Sequence, residues 1–301
     1  MPELPDVAAY LVALEPRVLG QRLDGIRIAS PFVLRSIDPP PRELSGKPVV
    51  GLRRVGKRIV MELPDKLFIL IHLMIAGRLH WKDARAARIP GGKRGLAAFD
   101  FPTGTLLFTE EGTKKRAALY LVRGDDALAT HDAGGIDPLT ADLAAFAGAL
   151  TRESHTVKRA LTDPRFFSGI GNAYSDEILH RARLSPVKLT RQLAGDEIAR
   201  LHAATQATLG DWIARLSAEA QAAFPEKVTA FRPDMAVHGR YGKPCPECGA
   251  PVQRIVHADN ETNYCARCQT GGRLLADRAL SRLLHQDWPK TLEELETLRV
   301  K

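Results

Sequence analysis

Cysteine is scarce in this sequence of 301 residues: it occurs four times, and only between residues 245 and 268. Four thiols in one short stretch exclude a secreted fold held together by disulfides and favour a single local metal site. Long apolar runs are also missing, since even residues 67–74 are interrupted by His72, and a membrane-spanning helix needs about 20 apolar residues. The first six residues carry two prolines and two carboxylates, where a secretory leader would be basic and then apolar. We therefore expect a cytoplasmic protein.

Basic residues outnumber acidic ones. The chain has 43 Lys and Arg against 35 Asp and Glu, a net charge of +8, and its 45% of hydrophobic residues is enough to build folded cores. Clustered Lys and Arg gain affinity for polyanions by releasing counterions from phosphates. The charge therefore favours a nucleic-acid partner, although many cytoplasmic proteins of similar charge bind none.

Changes in residue pattern divide the chain into four segments and predict an α+β chain of several domains. Residues 1–130 begin with an apolar helical stripe, which Pro16 kinks or ends, and continue with short strands. Residues 131–240 begin with a Gly- and Pro-containing linker and then have helical periodicity. The cysteines fall in residues 241–270, and residues 271–301 are predicted to form a helical tail with apolar stretches at 274–284 and 291–298.

Six short apolar or alternating stretches in the first segment, separated by Gly, Pro or Asp, predict strands. Because no helical stretch lies between them, they favour an antiparallel β-sandwich or barrel over a βαβ sheet. The predicted strands span residues 49–55, 58–63, 67–73, 96–101, 105–109 and 117–122.

The cysteines have the spacing of a zinc ribbon. They form the pattern C-x2-C-x16-C-x2-C through Cys245, Cys248, Cys265 and Cys268. Two residues between paired thiolates let both sulfurs reach one ion from a tight turn, and two such turns close a tetrahedral site with no open position. We expect one structural Zn²⁺, with a hairpin formed by residues 252–256 and 262–264; a redox dithiol pair or four unrelated thiols are the alternatives.

Pro2 and Glu3 have a chemistry of their own if processing removes Met1. An α-amino group has a pKa of about 7.7–8.0, so more of it is free amine at neutral pH than of a lysine. A secondary amine condenses with an aldehyde to an iminium, which carries a fixed positive charge and acts as an electron sink, and Glu3 could transfer protons beside it. By itself, however, a proline at position 2 is usually a mere start sequence.

Two further motifs accompany this start. Lys57 lies at a predicted hairpin turn, where it could project a cation or simply be solvated. Residues 167–177 place a glycine-bracketed turn and Asn172 before a helix, an arrangement whose N–H groups can bind a phosphate. Each signal alone is weak.

Together these motifs resemble the formamidopyrimidine-DNA glycosylase and endonuclease VIII family, over about residues 2–270. The opening MPELPDV matches the family's, with Asp6 in place of a second glutamate; VGK at Lys57, HLMIAG at residues 72–77 and the segment from residue 157 to 177 follow in the family's order. The resemblance implies a β-sandwich catalytic domain (1–130), a helix–two-turn–helix DNA-binding domain (131–240), a zinc finger (241–270) and a helical tail (271–301).

The resemblance also implies a bifunctional mechanism on damaged double-stranded DNA. Pro2 would attack C1′ of a flipped nucleotide, displace the base and form an iminium, and β- and δ-elimination would cut the strand. Glu3 would be the acid–base and Lys57 would contact the DNA at the lesion. It further places Lys158, Asn172 and Glu177 among the DNA-binding residues. A monomer would suffice.

Three features depart from the family pattern. Where 8-oxoguanine-type members fill the vacated stack with methionine, arginine and phenylalanine, this chain has Ile75, Lys115 and Arg116, without an aromatic residue. Asn260 stands where the finger tip usually has an arginine. The chain also continues about thirty residues past the last cysteine.

Two questions stay open at this point. The tail, with Arg273, Arg278, Arg282, His285 and Trp288, either contacts DNA or docks on the helical domain. The alternative function is a non-catalytic protein that binds DNA damage or DNA structure on the same scaffold; a zinc-ribbon RNA-binding or transcription protein would not explain the Pro2–Glu3 start.

Overall fold

A computed structural model describes residues 1–36, 38–226, 228, 231–257, 260–276 and 289–300. The chain forms two compact units. The first comprises Met1–Ala133 and Asp211–Ala230, and the second comprises Gly134–Gly210 and Phe231–Lys301. In the described parts of both units, no helix is long and apolar enough to cross a membrane.

The first unit is a β-sandwich with a leading helix. Its helices are α1 (Leu4–Val18), α2 (Pro41–Leu44) and α3 (Asp125–Ala129), and a 3-10 turn spans Pro31–Val33. Its strands are β1 (Gly25–Ile28), β2 (Gly51–Val55), β3 (Arg58–Leu63), β4 (Leu67–His72), β5 (Gly77–Lys82), β6 (Gly95–Phe101), β7 (Gly104–Glu110) and β8 (Ala118–Arg123).

Two antiparallel four-stranded sheets face a common core. Their strand orders are β1-β6-β7-β5 and β2-β3-β4-β8. Ile69 and Leu121 from one sheet, Leu79 and Phe99 from the other, and Tyr10 from α1 all belong to one buried cluster. Apolar residues alternate toward this core because successive side chains of a strand point to opposite faces, and the predicted sandwich is confirmed.

The structure adds two strands to the six that the sequence predicts. β1 is only four residues long and half-buried throughout; Ile26 and Ile28 pack against the core, but so short an alternation gives little signal. β5 does alternate, with Leu79 and Trp81 inward and His80 outward. Helix α1 ends at Val18, two residues after Pro16, where the Leu19 N–H donates to the Glu15 carbonyl at 3.1 Å.

Three connections lie at the same end of the sandwich. The register pairs Arg58 with His72 and His72 with Ala118, and in the other sheet Gly77 with Glu110. The turn at residues 56–57, the turn at 73–76 and the loop at 111–117 therefore come together, and the Glu111 N–H donates to the Ala76 carbonyl. We call these three segments the loop end.

The second unit is helical and carries the cysteine hairpin. Its helices are α4 (Leu143–Thr151), α5 (Val157–Thr162), α6 (Asn172–Arg181), α8 (Ala266–Thr270) and α9 (Leu292–Val300), and a 3-10 turn spans Thr190–Gln192. Helix α7 (Gly195–Ala222) passes from this unit into the first. The hairpin consists of β9 (Gln253–His257) and β10 (Asn260–Tyr264), close to the predicted ranges.

The tail packs on the cysteine hairpin. Leu274 and Leu292 share a buried cluster with Val252 and Tyr264, and the Leu274 N–H donates to the Lys290 carbonyl at 2.8 Å. The described ends of the tail thus pack on the cysteine hairpin, and docking of the tail on the helical domain stays a prediction. The predicted tail residues Arg278, Arg282, His285 and Trp288 lie outside the described residues, as does most of the predicted helix at 274–284.

Candidate active site and nucleic-acid interface

The start of α1 holds the candidate catalytic pair. Pro2 is buried, and Glu3 is only 2% exposed at the position that precedes the helix. The Asp6 carboxylate accepts the Glu3 N–H at 2.9 Å, as expected of a carboxylate at the third helical position. Asp6 therefore caps the start of α1 as a glutamate at this position would, and it fixes the backbone of Glu3.

Lys57 and the amino terminus share one electrostatic environment. Burial lowers the pKa of Lys57, and the negative charges of Glu3 and Asp6 act against that shift. Burial also lowers the pKa of the Met1 α-amino group; Glu3 and Asp6 again oppose the shift, while Arg78 and Lys57 reinforce it. The structure thus brings the buried Pro2 and Glu3 and the partly exposed Lys57 into one site that favours neutral amines.

Two residues outside the predicted catalytic set border this site. Burial lowers the pKa of His72 to about 4, helped by the charges of Arg58 and Lys57, so its imidazole is neutral at physiological pH. Arg78 donates to the carbonyls of Ile75 and Gly77 at 3.3 and 2.6 Å. Arg78 belongs to β5. The alternating pattern of β5 could have predicted this strand from the sequence and so placed Arg78 beside Ile75.

The three residues predicted to fill the vacated base stack, Ile75, Lys115 and Arg116, lie at the loop end and differ in their exposure to solvent. Ile75 is 56% exposed and Arg116 is exposed. Lys115 instead donates its ammonium to the Glu110 carbonyl at 2.5 Å. The buried Glu110 carboxylate accepts the N–H groups of Arg116 and Ala117 at 3.0 and 3.1 Å, and so it fixes the course of the loop. The Ile75 and Arg116 side chains are thus exposed to solvent, whereas the Lys115 ammonium is bonded to the backbone of its own loop.

In the second unit, Lys158 is fully engaged within the protein. Its ammonium donates to the Asn172 carbonyl at 3.0 Å, to the Ser175 hydroxyl at 2.9 Å and to the Asp176 carboxylate at 2.5 Å. An ammonium has three protons, and here each has an acceptor. In this structure Lys158 fixes the start of α6, and its contact with a phosphate stays a prediction. Asn172 donates its side-chain amide to the Glu261 carbonyl at 2.9 Å.

Asp176 is the centre of this network. Its second carboxylate oxygen lies 2.8 Å from His238 Nδ1 and accepts the Asn263 N–H at 3.1 Å. The Asn263 side chain in turn accepts the Gly239 N–H at 2.8 Å. Asp176 is 1% exposed, and it ties α6 to β10 and to the segment before the cysteines.

Glu177 is also structural. It is 6% exposed, and its carboxylate accepts the N–H groups of Ala236, Val237 and His238 at 2.7, 2.9 and 2.9 Å. Burial raises the pKa of Glu177, and these three donors oppose the shift. A DNA contact for Glu177 is therefore a poor interpretation, because the carboxylate is buried and its charge would repel phosphates.

Replacing Asp176 by alanine should destabilise the second unit. Lys158 and His238 would lose a buried acceptor, and breaking a buried ion pair costs about 3–5 kcal/mol. Urea unfolding measures this loss. Asp196→Ala is the matched control, because that carboxylate is 75% exposed and pairs with Arg200 one helical turn away, an interaction worth at most about 0.5 kcal/mol. Equal losses in the two variants would contradict the central role of Asp176.

The four cysteines fit one zinc ion. All four Sγ atoms lie within 4.8 Å of one another, with Cys245–Cys268 at 3.9 Å and Cys248–Cys265 at 3.4 Å. Tetrahedral Zn–S bonds of about 2.3 Å place sulfurs about 3.8 Å apart. Soft thiolates alone are a donor set that selects zinc, and four of them leave no open position. The zinc is therefore structural.

His180 supports the cysteine cluster from α6. Its Nε2 lies 3.2 Å from Cys245 Sγ, and the imidazole is 5% exposed. Burial lowers the pKa of His180, so the ring is neutral and can donate one N–H to a thiolate. No spacing rule connects residues 65 apart, which is why the sequence gave no signal for this contact.

Asn260 is exposed at the start of β10, opposite His257; the tip residues 258 and 259 lie outside the described part. We expect Asn260→Arg to raise duplex affinity about 5- to 30-fold, because a charge-assisted bond to phosphate is worth about 1–2 kcal/mol. Titrations at several salt concentrations should also show a slope steeper by about 0.9. Asn260→Gln is the uncharged control, and an unchanged affinity of the arginine variant would mean that the tip meets no phosphate.

Comparisons with known proteins agree with this arrangement. Models of the formamidopyrimidine-DNA glycosylase N-terminal domain, of its H2TH domain and of the zinc finger found in FPG and IleRS match residues 1–115, 135–221 and 242–271. The formamidopyrimidine-DNA glycosylase of Desulforamulus reducens is 30% identical over 284 residues, which cover 89% of this chain and 99% of that protein. The chain belongs to the formamidopyrimidine-DNA glycosylase family.

Other members of the formamidopyrimidine-DNA glycosylase family give the same result. An uncharacterised formamidopyrimidine-DNA glycosylase-like protein of Mycobacterium tuberculosis is 41% identical over 150 residues, half of this chain and 93% of that protein. The crystal structure of the Lactococcus lactis enzyme bound non-covalently to DNA with an abasic site has a TM-score of 0.76 and 27% identity, and covers 89% of this chain and 99% of that one. The expected fold and zinc finger are thus confirmed for this family member.

Proposed function

We propose that this chain is a DNA glycosylase with abasic-site lyase activity that acts in base excision repair, and that Pro2 is its nucleophile. The observation that carries the assignment of Pro2 is the buried site at the start of α1, where the amino terminus, Glu3 and Lys57 act on one another. An amine beside a carboxylate is the pair that iminium chemistry requires, and the Pro2 nitrogen becomes that amine once Met1 is removed. The family membership supports the same reaction.

The proposed reaction starts when the Pro2 nitrogen, freed by removal of Met1, attacks C1′ of the damaged nucleotide. The N–C1′ bond forms, the glycosidic bond breaks, and the base leaves with a proton. The sugar opens to an iminium, which is the electron sink for loss of the 3′ and then the 5′ phosphate. Glu3 transfers protons at the sugar, Asp6 holds the Glu3 backbone, and Lys57 supplies positive charge next to the lesion.

DNA binding is divided between the two units. In the first, Ile75 and Arg116 are exposed beside the catalytic site and serve to fill the vacated stack, with Lys115 available if its bond to Glu110 opens. In the second, the Lys158–Asp176 network fixes the start of α6, from which Asn172 reaches a phosphate. The structural zinc keeps Asn260 in place. We propose the functional divisions at residues 130, 240 and 270, a monomer and a cytoplasmic location.

Borohydride trapping tests this proposal. The purified chain, shown by mass to begin at Pro2, is mixed with a duplex that contains one abasic site and is reduced. An adduct mapped to Pro2 is expected. An adduct mapped to Lys57, whose pKa is also lowered by burial, would show that Pro2 is not the nucleophile. Intact binding without any adduct would favour a non-catalytic damage-binding protein.

A further inference from the structure

Phe32 is an aromatic residue held in solvent. It is 78% exposed, the largest value among the exposed large apolar residues that the structure describes. Phenylalanine can bury 150–250 Å² of surface, so a fixed and exposed ring forgoes a substantial hydrophobic gain. Both neighbours on its C-terminal side behave differently: Val33 is 2% exposed in the sandwich core and Leu34 packs against that core.

The backbone holds Phe32 in a rigid turn. Pro31 opens the 3-10 turn with its fixed φ. The Ser30 N–H donates to the Leu96 carbonyl at 3.0 Å, and the Val33 N–H donates to the Ser30 carbonyl at 3.1 Å. Because both ends of the turn are hydrogen-bonded and Val33 is buried, the backbone of Phe32 has a fixed position on the surface.

That place is the loop end. Leu34 forms a bridge with Leu119 in β8, and the Arg35 N–H donates to the Leu119 carbonyl at 2.8 Å. Residues 34 and 35 thus extend the sheet beyond β8, and the bridge is parallel, so Phe32 lies toward the end of β8 that follows the 111–117 loop. Two strand spacings, about 10 Å, separate this segment from β4, which leads into the turn that carries Ile75.

Exposed cations lie at the same end of the sandwich as Phe32. Arg35, Lys114 and Arg116 are exposed, while Glu111 forms an ion pair with Arg94 at 2.5 Å. An exposed aromatic ring on a surface that also carries Lys and Arg is the combination that binds bases and phosphates together. The loop at 111–117 itself contains no aromatic side chain.

We propose that Phe32 inserts into the duplex beside the vacated nucleotide and stacks on a neighbouring base, while Ile75 enters from the adjacent turn. This inference rests on the proposed function, because only an enzyme that flips a nucleotide leaves a gap to fill. Apolar wedges that unstack base steps are common among proteins that kink DNA. Phe32 thus contributes to the selection of damaged over intact duplex.

The test measures binding without chemistry. Wild type, Phe32→Ala, Phe32→Leu and Phe32→Trp are titrated with an intact duplex and with one that contains a stable abasic-site analogue. Loss of base stacking in Phe32→Ala should weaken binding to the abasic duplex about tenfold and leave intact-duplex affinity unchanged. Leucine should restore part of the loss. Tryptophan should retain affinity, and its emission should be quenched by the abasic duplex.

Val50→Ala is the matched control. Val50 is 57% exposed and immediately precedes β2, at the end of that strand opposite the 56–57 turn, so its variant should bind both duplexes as wild type does. If Phe32→Ala matched Val50→Ala on the abasic duplex, or lost equal affinity for both duplexes, the inference would be overturned. The failure of the proposed function is seen separately, as the absence of a trapped adduct at Pro2 in wild type.

Discussion

A chain that retains one residue ahead of Pro2 should form no covalent adduct at Pro2 with an abasic duplex and should still bind it. With an amide bond on its nitrogen, Pro2 has no lone pair for attack and no route to an iminium. The change lies outside α1, whose first residue is Leu4, so the fold is retained. Trapping of the extended and the processed chain, with duplex affinity measured in parallel, checks this.

Pro2→Gly with a free amino terminus separates the amine from the proline ring. A primary amine forms an imine that must be protonated, so trapping should be slower than with wild type but present. Wild-type levels of adduct on the extended chain would rule out Pro2.

Cys265→Ser should release zinc and weaken duplex binding at least tenfold. Binding of a structural zinc supplies about 10–16 kcal/mol that the finger uses to fold. Cys265 is buried between Tyr264 and Ala266 in the finger's apolar cluster, so loss of the ion disturbs the core as well as the tip. Metal content by mass spectrometry and duplex titrations measure both effects.

Arg267→Ser is the control for metal content, because Arg267 is exposed on α8 between two ligands. It should retain one zinc per chain. A Cys265→Ser protein that also retained its zinc would show that three thiolates suffice, with His180 as the nearest candidate for a fourth donor. That result would mean that a fourth cysteine ligand is not required to hold the zinc.

Local patterns predicted much of this molecule. Alternation and turn residues predicted the sandwich, and cysteine spacing predicted the zinc site, because both depend on residues close in sequence. β1 was missed because its alternation covers only Ile26, Arg27 and Ile28, which is too short to distinguish a strand from a loop. The three acceptors of Lys158 were missed because they lie 14–18 residues away, and its cationic side chain suggested a phosphate instead.

The tail gives the finger a larger core than its cysteines define. Leu274 and Leu292 lie in the same cluster as Val252, Ile255 and Tyr264, and the Leu275 N–H donates to the Tyr264 hydroxyl at 2.8 Å. Ending the chain after Gln269 would therefore not yield a shorter, equivalent family member. The truncation would expose these apolar side chains to water, and we therefore expect the truncated finger to unfold locally more often and to be cleaved faster by an added protease.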